Sequence, residues 1–440
     1  MPNPTTGRRL ASLLVALALM GTPALILRAL CVGRSCDDAS ASATPVPFCP
    51  LPSDLRTLIV AGFLSGRSPD VMATSGETAV VTKVPGLLVG WPSTGASPSG
   101  VVPLAILGPG VSTGFLPSDV GLADVAPTVA ALIGFSPPHP DVRDGRAIPG
   151  VHPPASGPAP LAVEIVWKGA GTRTLAGRWP PATRAAIKGG MSTLGATVGS
   201  LPLDPAAILT TIGTGGLPSQ HGITGTELRT DQGAVARAWS RAAPESVIAT
   251  LPDELDHAYG GRARIGLVAT DPTDRGLIGD GWYLRSDHDR MVVSSSNPVR
   301  AAVHLLSQAY GTDGVPDMMG VVLRGPIRTL DERTAAIIRA VRRKVPRALM
   351  VVTATGTTFL SGGHPVGAQI AASAVDRTLG TTAISADAGG GYFLDRAALA
   401  GIGRSTDAVA RAMGRQIGPD GAPLFADVYP SFSVAFDRYC

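Results

Sequence analysis

The sequence predicts an α/β fold in which a mostly parallel central sheet lies between two layers of helices. Short apolar runs typical of buried strands alternate with helical patterns, which is the arrangement of a doubly wound sheet. The run Leu161–Trp167 is apolar apart from Glu164, so we expect a central strand that is covered on both faces. Thr329–Glu332 has the pattern of a capping box, and the apolar residues within 337–341 share one helical face.

The remaining elements follow the same alternation. Asp124 is placed to cap a helix that has Pro127 in its first turn and Gly134 after its end. Another helix is expected to begin at Ser405 or Thr406. The other predicted strands are Val101–Leu107, Arg264–Thr270, Met318–Leu323, Ala348–Thr353 and, as an alternating strand or loop, Phe425–Phe436.

The composition is that of a globular, loop-rich chain. Of 440 residues, 45% are hydrophobic and only 16% are charged, which excludes a disordered protein. The net charge is only +4, and Arg342–Lys344 fits the basic end of a helix better than a nucleic-acid surface. We therefore expect no nucleic acid among the partners.

The N-terminus has the pattern of an export signal. Arg8-Arg9 precedes the apolar run Leu10–Leu27, which fits a secretory signal and also reaches the lower limit for a membrane-spanning helix. We expect residues 1–30 to be a signal peptide or membrane anchor, 31–48 a linker and 49–440 a single domain. Either alternative predicts an exported protein, secreted or anchored on the outer face of the cytoplasmic membrane.

The stretch Asp204–Gly225 is the most distinctive local sequence. An apolar run enters a glycine-rich loop, and Ser219 and His221 within it invite comparison with a nucleophile and its base. Residues two apart on an extended chain point to opposite faces, and no acidic residue is placed to orient the histidine. A structural turn is the favoured interpretation.

The same stretch carries a family resemblance. Thr214-Gly215 followed by Pro218–Ile223 resembles a motif of the type I phosphodiesterase/nucleotide pyrophosphatase family, in the alkaline phosphatase superfamily. Motifs that resemble the family's closing segments stand before this motif instead of after it. They are Gly66–Asp70, Val102–Leu104, Gly108–Gly110 and Asp124–Thr128.

The resemblance therefore implies an alkaline-phosphatase-like sandwich in circularly permuted order. Residues 49–150 match the family's C-terminal part, 151–160 form the joint, and 161–440 match its N-terminal part. It also implies that the two ends of the domain lie side by side, with Cys49 bonded to Cys440. Cys31 or Cys36 are alternative partners for this disulfide.

Family members hold two metal ions, typically zinc, and use a Thr or Ser nucleophile. The nucleophile position matches Pro205, which has no hydroxyl. Lys168 and Gly169 stand where the family has Asp-Gly, and the segment 93–100, expected to supply the last ligand, has no histidine. Asp317–Val321 retains only the Asp and Gly of the Asp-x-x-Gly-His motif, and Thr353–Gly356 replaces Ser-Asp-His-Gly.

The resemblance consequently implies a pseudoenzyme with no cofactor and a degenerate binding pocket. The residues assigned to that pocket are Lys168, Asp317, Thr353 and Thr355. We expect an envelope ligand or protein as partner; an active metal-dependent phosphodiesterase or phosphatase is the alternative, and a purely structural envelope protein a third option. Lys168 is a candidate for anion binding.

Other ligand-like residues have a plainer interpretation. Asp287–Asp289 is the densest cluster, but its polar surroundings are typical of a solvated loop. His139 and His364 are expected in loops. Asp271–Gly276 follows a predicted strand, so it either lines the pocket or forms a plain turn.

Overall fold

The computed structural model describes the folded part of the chain as one compact unit. The described residues are 48–76, 78–83, 91–92, 100–280, 282–283, 289–294, 296–358 and 364–440. The predicted signal or anchor and almost all of the predicted linker lie outside them, as do residues 93–99. None of the helices in the described ranges is long and apolar enough to cross a membrane.

Strands and helices alternate over part of the chain, although several strands follow one another without an α-helix between them. The strands are β1 (Val71–Ser75), β2 (Ala79–Thr82), β3 (Val101–Leu107), β4 (Gly114–Phe115), β5 (Leu161–Trp167), β6 (Met191–Thr197), β7 (Glu227–Arg229), β8 (Val235–Arg237), β9 (Ile265–Ala269), β10 (Arg290–Val293), β11 (Asp317–Leu323), β12 (Leu349–Ala354), β13 (His364–Gly367), β14 (Ile384–Ala388), β15 (Gly391–Leu394) and β16 (Phe425–Pro430). The α-helices are α1 (Ser53–Ala61), α2 (Val125–Leu132), α3 (Pro181–Ala186), α4 (Pro205–Thr214), α5 (Pro218–His221), α6 (Leu251–Ala258), α7 (Pro298–Leu306), α8 (Ile327–Lys344), α9 (Ala368–Leu379), α10 (Arg396–Gly401), α11 (Thr406–Gly414) and α12 (Phe432–Ala435).

The large sheet has eight strands in the order β10-β9-β11-β5-β12-β3-β6-β4. Its neighbouring strands are parallel except at β3, which runs antiparallel to both β12 and β6. β5 lies between β11 and β12, and every residue of it is buried. The predicted mixed α/β class with a mostly parallel central sheet is therefore confirmed.

Helical segments pack on both faces of this sheet. On one face, the indole nitrogen of Trp167 donates a 2.8 Å hydrogen bond to Thr334 of α8. On the other face, Gly320 of β11 lies against Leu277, which ends a 3-10 helix. Gly213 of α4 packs on that 3-10 helix so closely that an added Cβ would lie 2.4 Å from the Gly276 carbonyl oxygen. The close approach explains why this helical position is a glycine.

Three sequence predictions at element ends are wrong. Thr329 does not cap α8, which begins at Ile327 after Pro326 and has no side-chain cap. Asp124 precedes α2, but its carboxylate accepts from the amides of Gly121 and Arg146 instead of capping that helix. Phe425–Phe436 is not one strand or loop, since β16 ends at Pro430 and α12 follows. These errors come from reading local patterns where tertiary packing decides the ends of elements.

A smaller layer is built from both ends of the described chain. β14, β15, β1 and β16 form an antiparallel sheet in that order, while β13 pairs with β2 in parallel. Its apolar core includes Trp91 and Tyr392, whose ring centroids are 4.8 Å apart. β1 from the N-terminal part thus pairs with two strands from the C-terminal part.

A disulfide joins Cys49 to Cys440, as predicted. The two Cα atoms are 5.1 Å apart although 391 residues separate them in the chain. Phe48 lies beside the bond and packs its ring on Tyr429 of β16, with centroids 5.0 Å apart. The two ends of the described chain are therefore fixed to each other.

Removing the disulfide should destabilise the fold. We expect Cys49→Ser together with Cys440→Ser to lower the free energy of unfolding by about 2 to 5 kcal/mol, because the bond restricts the unfolded chain. Urea unfolding with and without a reducing agent measures the effect. Reductant should weaken the wild type and leave the double variant unchanged; equal stability of the two proteins under oxidising conditions would contradict the expectation.

Glu164 is the polar exception in β5, and its side chain is buried in the sheet. Burial raises the pKa of its carboxyl to about 8, because the charged form loses its hydration. The folded protein therefore holds the proton between pH 4.5 and about 8, where the unfolded chain releases it. Stability from this group is complete below pH 4.5 and is lost as the pH rises to about 8.

Glu164→Gln should remove this pH dependence. The amide stays neutral, so the variant should match the wild type in acid and gain up to roughly 5 kcal/mol of unfolding free energy above pH 8. Urea unfolding across pH 4 to 9 provides the comparison. Glu332→Gln, at an exposed position of α8, is the control that should change stability little. A gain that does not vary with pH would refute the assignment.

Candidate functional site

A cavity of about 470 Å³ lies at the carboxyl ends of the parallel strands of the large sheet, which is called the cavity edge of the sheet. The segments after β5, β9 and β11 contribute Lys168, Thr270 and Arg324 to its wall. The first turn of α4 contributes Pro205, and the smaller layer contributes Trp91. Ligand sites of open α/β sheets form at this edge, and the volume suits a small molecule.

Lys168 is present at this cavity, but its charge is already paired. Its Nζ lies 2.5 Å from Oδ1 of Asp274, a carboxylate that is fully buried. Oδ2 of Asp274 accepts hydrogen bonds from the amide and hydroxyl of Thr270, both at 2.7 Å, and from the amide of Asp271 at 3.0 Å. Because the lysine neutralises a buried structural carboxylate, its charge is not available to a ligand.

Thr353 and Thr355 lie near the same edge, and both are buried. The Thr353 hydroxyl donates to the carbonyl of Pro103 at 2.8 Å. The Thr355 hydroxyl accepts from the amide of Gly169 at 2.9 Å, which fixes the turn after β5. The two hydroxyls serve the backbone, and neither residue lines the cavity.

Asp317 does not belong with these residues, which corrects the pocket assigned from the sequence. It is the first residue of β11 and is level with Leu161, whereas the cavity lies beyond the last pair, Leu323 and Trp167. The length of β11, about 20 Å, separates them. Its carboxylate accepts from the amides of Arg264 at 2.7 Å and Gly311 at 2.6 Å. Asp317 holds two loops at the opposite edge of the sheet.

The N-terminus of α4 carries its own carboxylate. Oδ1 of Asp204 accepts from the amide of Ala206 and the hydroxyl of Thr226, both at 2.9 Å. A free helix N-terminus attracts anions, but here an aspartate already occupies it. Pro205 follows as the first helical residue, so the position that matches the family's nucleophile has no reactive group.

The charged groups around the opening form further pairs. Lys83 Nζ lies 2.7 Å from Oε1 of Glu227, and one Arg237 nitrogen donates to both oxygens of Asp271, at 2.9 and 3.1 Å. Arg324 differs, since within the part of the chain that the structure describes it has no hydrogen bond or ion pair and is exposed. It directly follows β11, a position that the rule for parallel strand ends could have indicated.

Asp387 adds a titratable group beside Lys83. Burial raises the pKa of its carboxyl to about 7, Lys83 opposes the shift, and Glu227 and Asp204 reinforce it. Lys83 also donates to the backbone carbonyl of Asp387 at 3.3 Å. Asp387 itself does not line the cavity, but its neighbours Ala388 and Gly389 do, so the charge beside this wall changes near neutral pH.

The loop Asp271–Gly276 is both a turn and part of the wall. It forms most of the 3-10 helix Pro272–Leu277, and Asp271 caps it through the amide of Thr273. Asp271 and Thr273 also line the cavity. Burial alone would raise the pKa of Asp271, but hydrogen bonds from Thr273 and the pairing with Arg237 hold it below its usual range. The carboxylate is consequently a weak base.

Ser219 and His221 do not form a catalytic pair at this cavity. His221 is completely buried, with Nδ1 accepting from the amide of Ile223 and Nε2 lying 3.1 Å from the Thr211 hydroxyl. Burial lowers the pKa of the imidazole to about 3, so it is neutral at ordinary pH. Because Nδ1 accepts, Nε2 carries the proton and donates to Thr211. His221 locks the turn onto α4.

A zinc pair does not fit the described residues. They contain no group of three or more His, Cys, Asp and Glu side chains arranged to hold a metal ion. The cavity carboxylates Asp204, Glu227 and Asp271 already accept bonds from the protein. Asp287 and His288 lie outside the described residues, while His139 and His364 are exposed, the latter at the start of β13 instead of in a loop.

Comparison with known proteins adds no support to the family resemblance, which rests on the sequence motifs alone. No protein-family model matches the chain, and no curated protein matches it in sequence. The geometry of the cavity is therefore the main basis for a function.

His221→Asn should lower stability and remove one pH dependence. The folded pKa lies below the unfolded value, so wild-type stability falls as the pH drops from 6.5 towards 3, by at most about 1.4 kcal/mol per pH unit. Asparagine keeps an acceptor for the Ile223 amide but cannot titrate. Urea unfolding at several pH values should show a shallower acid loss in the variant.

His304→Asn, at an exposed position of α7, is the matched control and should keep the wild-type slope. If His221→Asn keeps that slope as well, His221 is not the titrating group.

Proposed function

We propose that this chain is an exported, non-catalytic member of the alkaline phosphatase superfamily that binds a small organic anion at the edge of its large sheet. The observation that supports this proposal is that only one of the charged side chains lining the cavity is unpaired within the described residues. The carboxylates and the other cations that line the cavity are bonded to other protein groups, whereas Arg324 has no partner among the described residues. A free guanidinium in a partly apolar cavity suits a phosphate, sulfate or carboxylate group.

The cavity is poorly equipped for phosphoryl transfer. That reaction needs a positioned nucleophile and clustered positive charge. Pro205 stands where the resemblance places the nucleophile, and the nearby hydroxyls of Thr226, Thr270 and Thr273 each donate to a carboxylate. Those carboxylates also accept backbone amides, which weakens them as bases. Binding without turnover is the function that this arrangement favours.

The permuted family resemblance gains support from the chain ends. A domain opened within a continuous segment should keep its new ends together, because the core does not depend on that covalent link. Cys49 and Cys440 are joined, and β1 lies between β15 and β16. Both observations agree with an alkaline-phosphatase-like fold whose order of segments has been permuted.

Export of the protein would explain both the N-terminal apolar segment and the disulfide. The segment Arg8–Leu27 resembles a signal or anchor, and structural disulfides persist in oxidising compartments. We place the ligand among small anions of the cell envelope.

Binding and hydrolysis can be tested with one probe, p-nitrophenyl phosphate. We expect calorimetry to detect its binding and expect no nitrophenolate release above background. Arg324→Ala should weaken binding at least tenfold, since bonds to a charged group contribute about 1.5 to 3 kcal/mol.

Arg328→Ala is the matched control, because this arginine lies four residues away on an exposed surface and should leave the affinity unchanged. Nitrophenolate release that requires added zinc would contradict the proposal, as would equal affinity of the Arg324 variant and the wild type.

A further inference from the structure

The C-terminal end of the chain exposes a stripe of aromatic side chains. Phe432, Phe436 and Tyr439 follow one another at spacings of four and three residues along α12 and the 3-10 turn Asp437–Tyr439. Their exposed fractions are 57%, 46% and 65%. Ser433 and Val434 are buried on the inner side of the same helix. The segment therefore presents one aromatic face to the surroundings.

Two rings of the stripe lie close together, and an arginine lies beside them. The rings of Phe436 and Tyr439 are 5.8 Å apart, and the Arg438 guanidinium lies 4.8 Å from the centre of the Tyr439 ring. A single exposed aromatic, such as Phe115 at 88%, is ordinary on a protein surface. Adjacent aromatic rings beside an arginine are typical of surfaces that meet the interface of a lipid bilayer.

The position of the stripe in the chain indicates its partner. Tyr439 directly precedes Cys440, whose bond to Cys49 places the stripe beside the point where the folded part begins. About 20 residues upstream of Cys49 lies the apolar run Leu10–Leu27. Even a fully extended connection would reach no more than about 70 Å. A bilayer that takes up the apolar run is therefore within reach of the stripe.

We propose that Phe432, Phe436 and Tyr439 form a membrane-contact surface that lies on the bilayer entered by the N-terminal apolar segment. The rings enter the boundary between headgroups and acyl chains, and Arg438 stays among the headgroups. This contact fixes the orientation of the domain on the membrane. It is independent of the proposed anion site, which lies at the end of the large sheet.

Tryptophan fluorescence of the full-length chain tests the contact. Phe436→Trp is compared with Phe115→Trp, which places the same reporter at an exposed position of β4. Both proteins are reconstituted in vesicles of equal parts phosphatidylcholine and phosphatidylglycerol with brominated acyl chains. After subtraction of the wild-type signal, Phe436→Trp should show a blue-shifted emission that is quenched at least twofold, and Phe115→Trp should show neither effect.

Two further measurements complete the test. Adding Phe432→Ser and Tyr439→Ser to Phe436→Trp should reduce the quenching to the level of the Phe115 control. Equal quenching at positions 436 and 115, or none at either, overturns the proposal. A blue shift that appears without vesicles and grows with protein concentration also overturns it, in favour of a contact between copies of the chain.

Discussion

The ion pair between Lys168 and Asp274 is the interaction on which the cavity edge of the large sheet depends. It joins the segment after β5 to the segment after β9, and its buried carboxylate also holds Thr270 and the backbone of Asp271. Asp271 in turn pairs with Arg237 at the end of β8. Because a buried carboxylate without partners is costly, these loops are fixed together. Lys168, the anion-binding candidate from the sequence, is therefore committed to the fold, and Arg324 remains as the unpaired cation of the cavity.

The five adjacent strands β9, β11, β5, β12 and β3 could be predicted from the sequence because almost all of their residues are buried, whereas the more exposed β4, β6 and β10 were not predicted. Val101–Leu107 and Leu161–Trp167 are strands with the predicted bounds, since continuous apolar runs leave little ambiguity. Helix capping was not readable in the same way. Asp331, in the predicted capping box of α8, instead accepts from the amides of Ala182 and Thr183 in α3, about 150 residues away in sequence. Local patterns do not reveal such partners.

Only part of the site could be predicted from the sequence, because the partners of its charged groups are distant along the chain. Lys168 follows a strand directly, so its place at the carboxyl edge could be inferred, whereas Asp274, its partner, lies 106 residues further along. The motif match groups Asp317 with the cavity because it takes no account of which end of a strand a residue occupies. Arg324 directly follows the same strand at its carboxyl end, where ligand sites form, but no motif marks it. Which charges of the cavity are paired is decided by contacts between residues that are distant in the sequence, so the sequence alone does not reveal it.

The bond between Cys49 and Cys440 turns the chain from 49 to 440 into a covalent ring. A single protease cut anywhere in that ring leaves both pieces attached, so a nicked molecule loses no part of its core by dissociation. Tension applied through the N-terminal segment enters the ring at Cys49 and is shared between α1 and, through the two sulfur atoms, the segment that follows β16. The domain is therefore held at both ends against a pull, and it cannot be unravelled from one end alone.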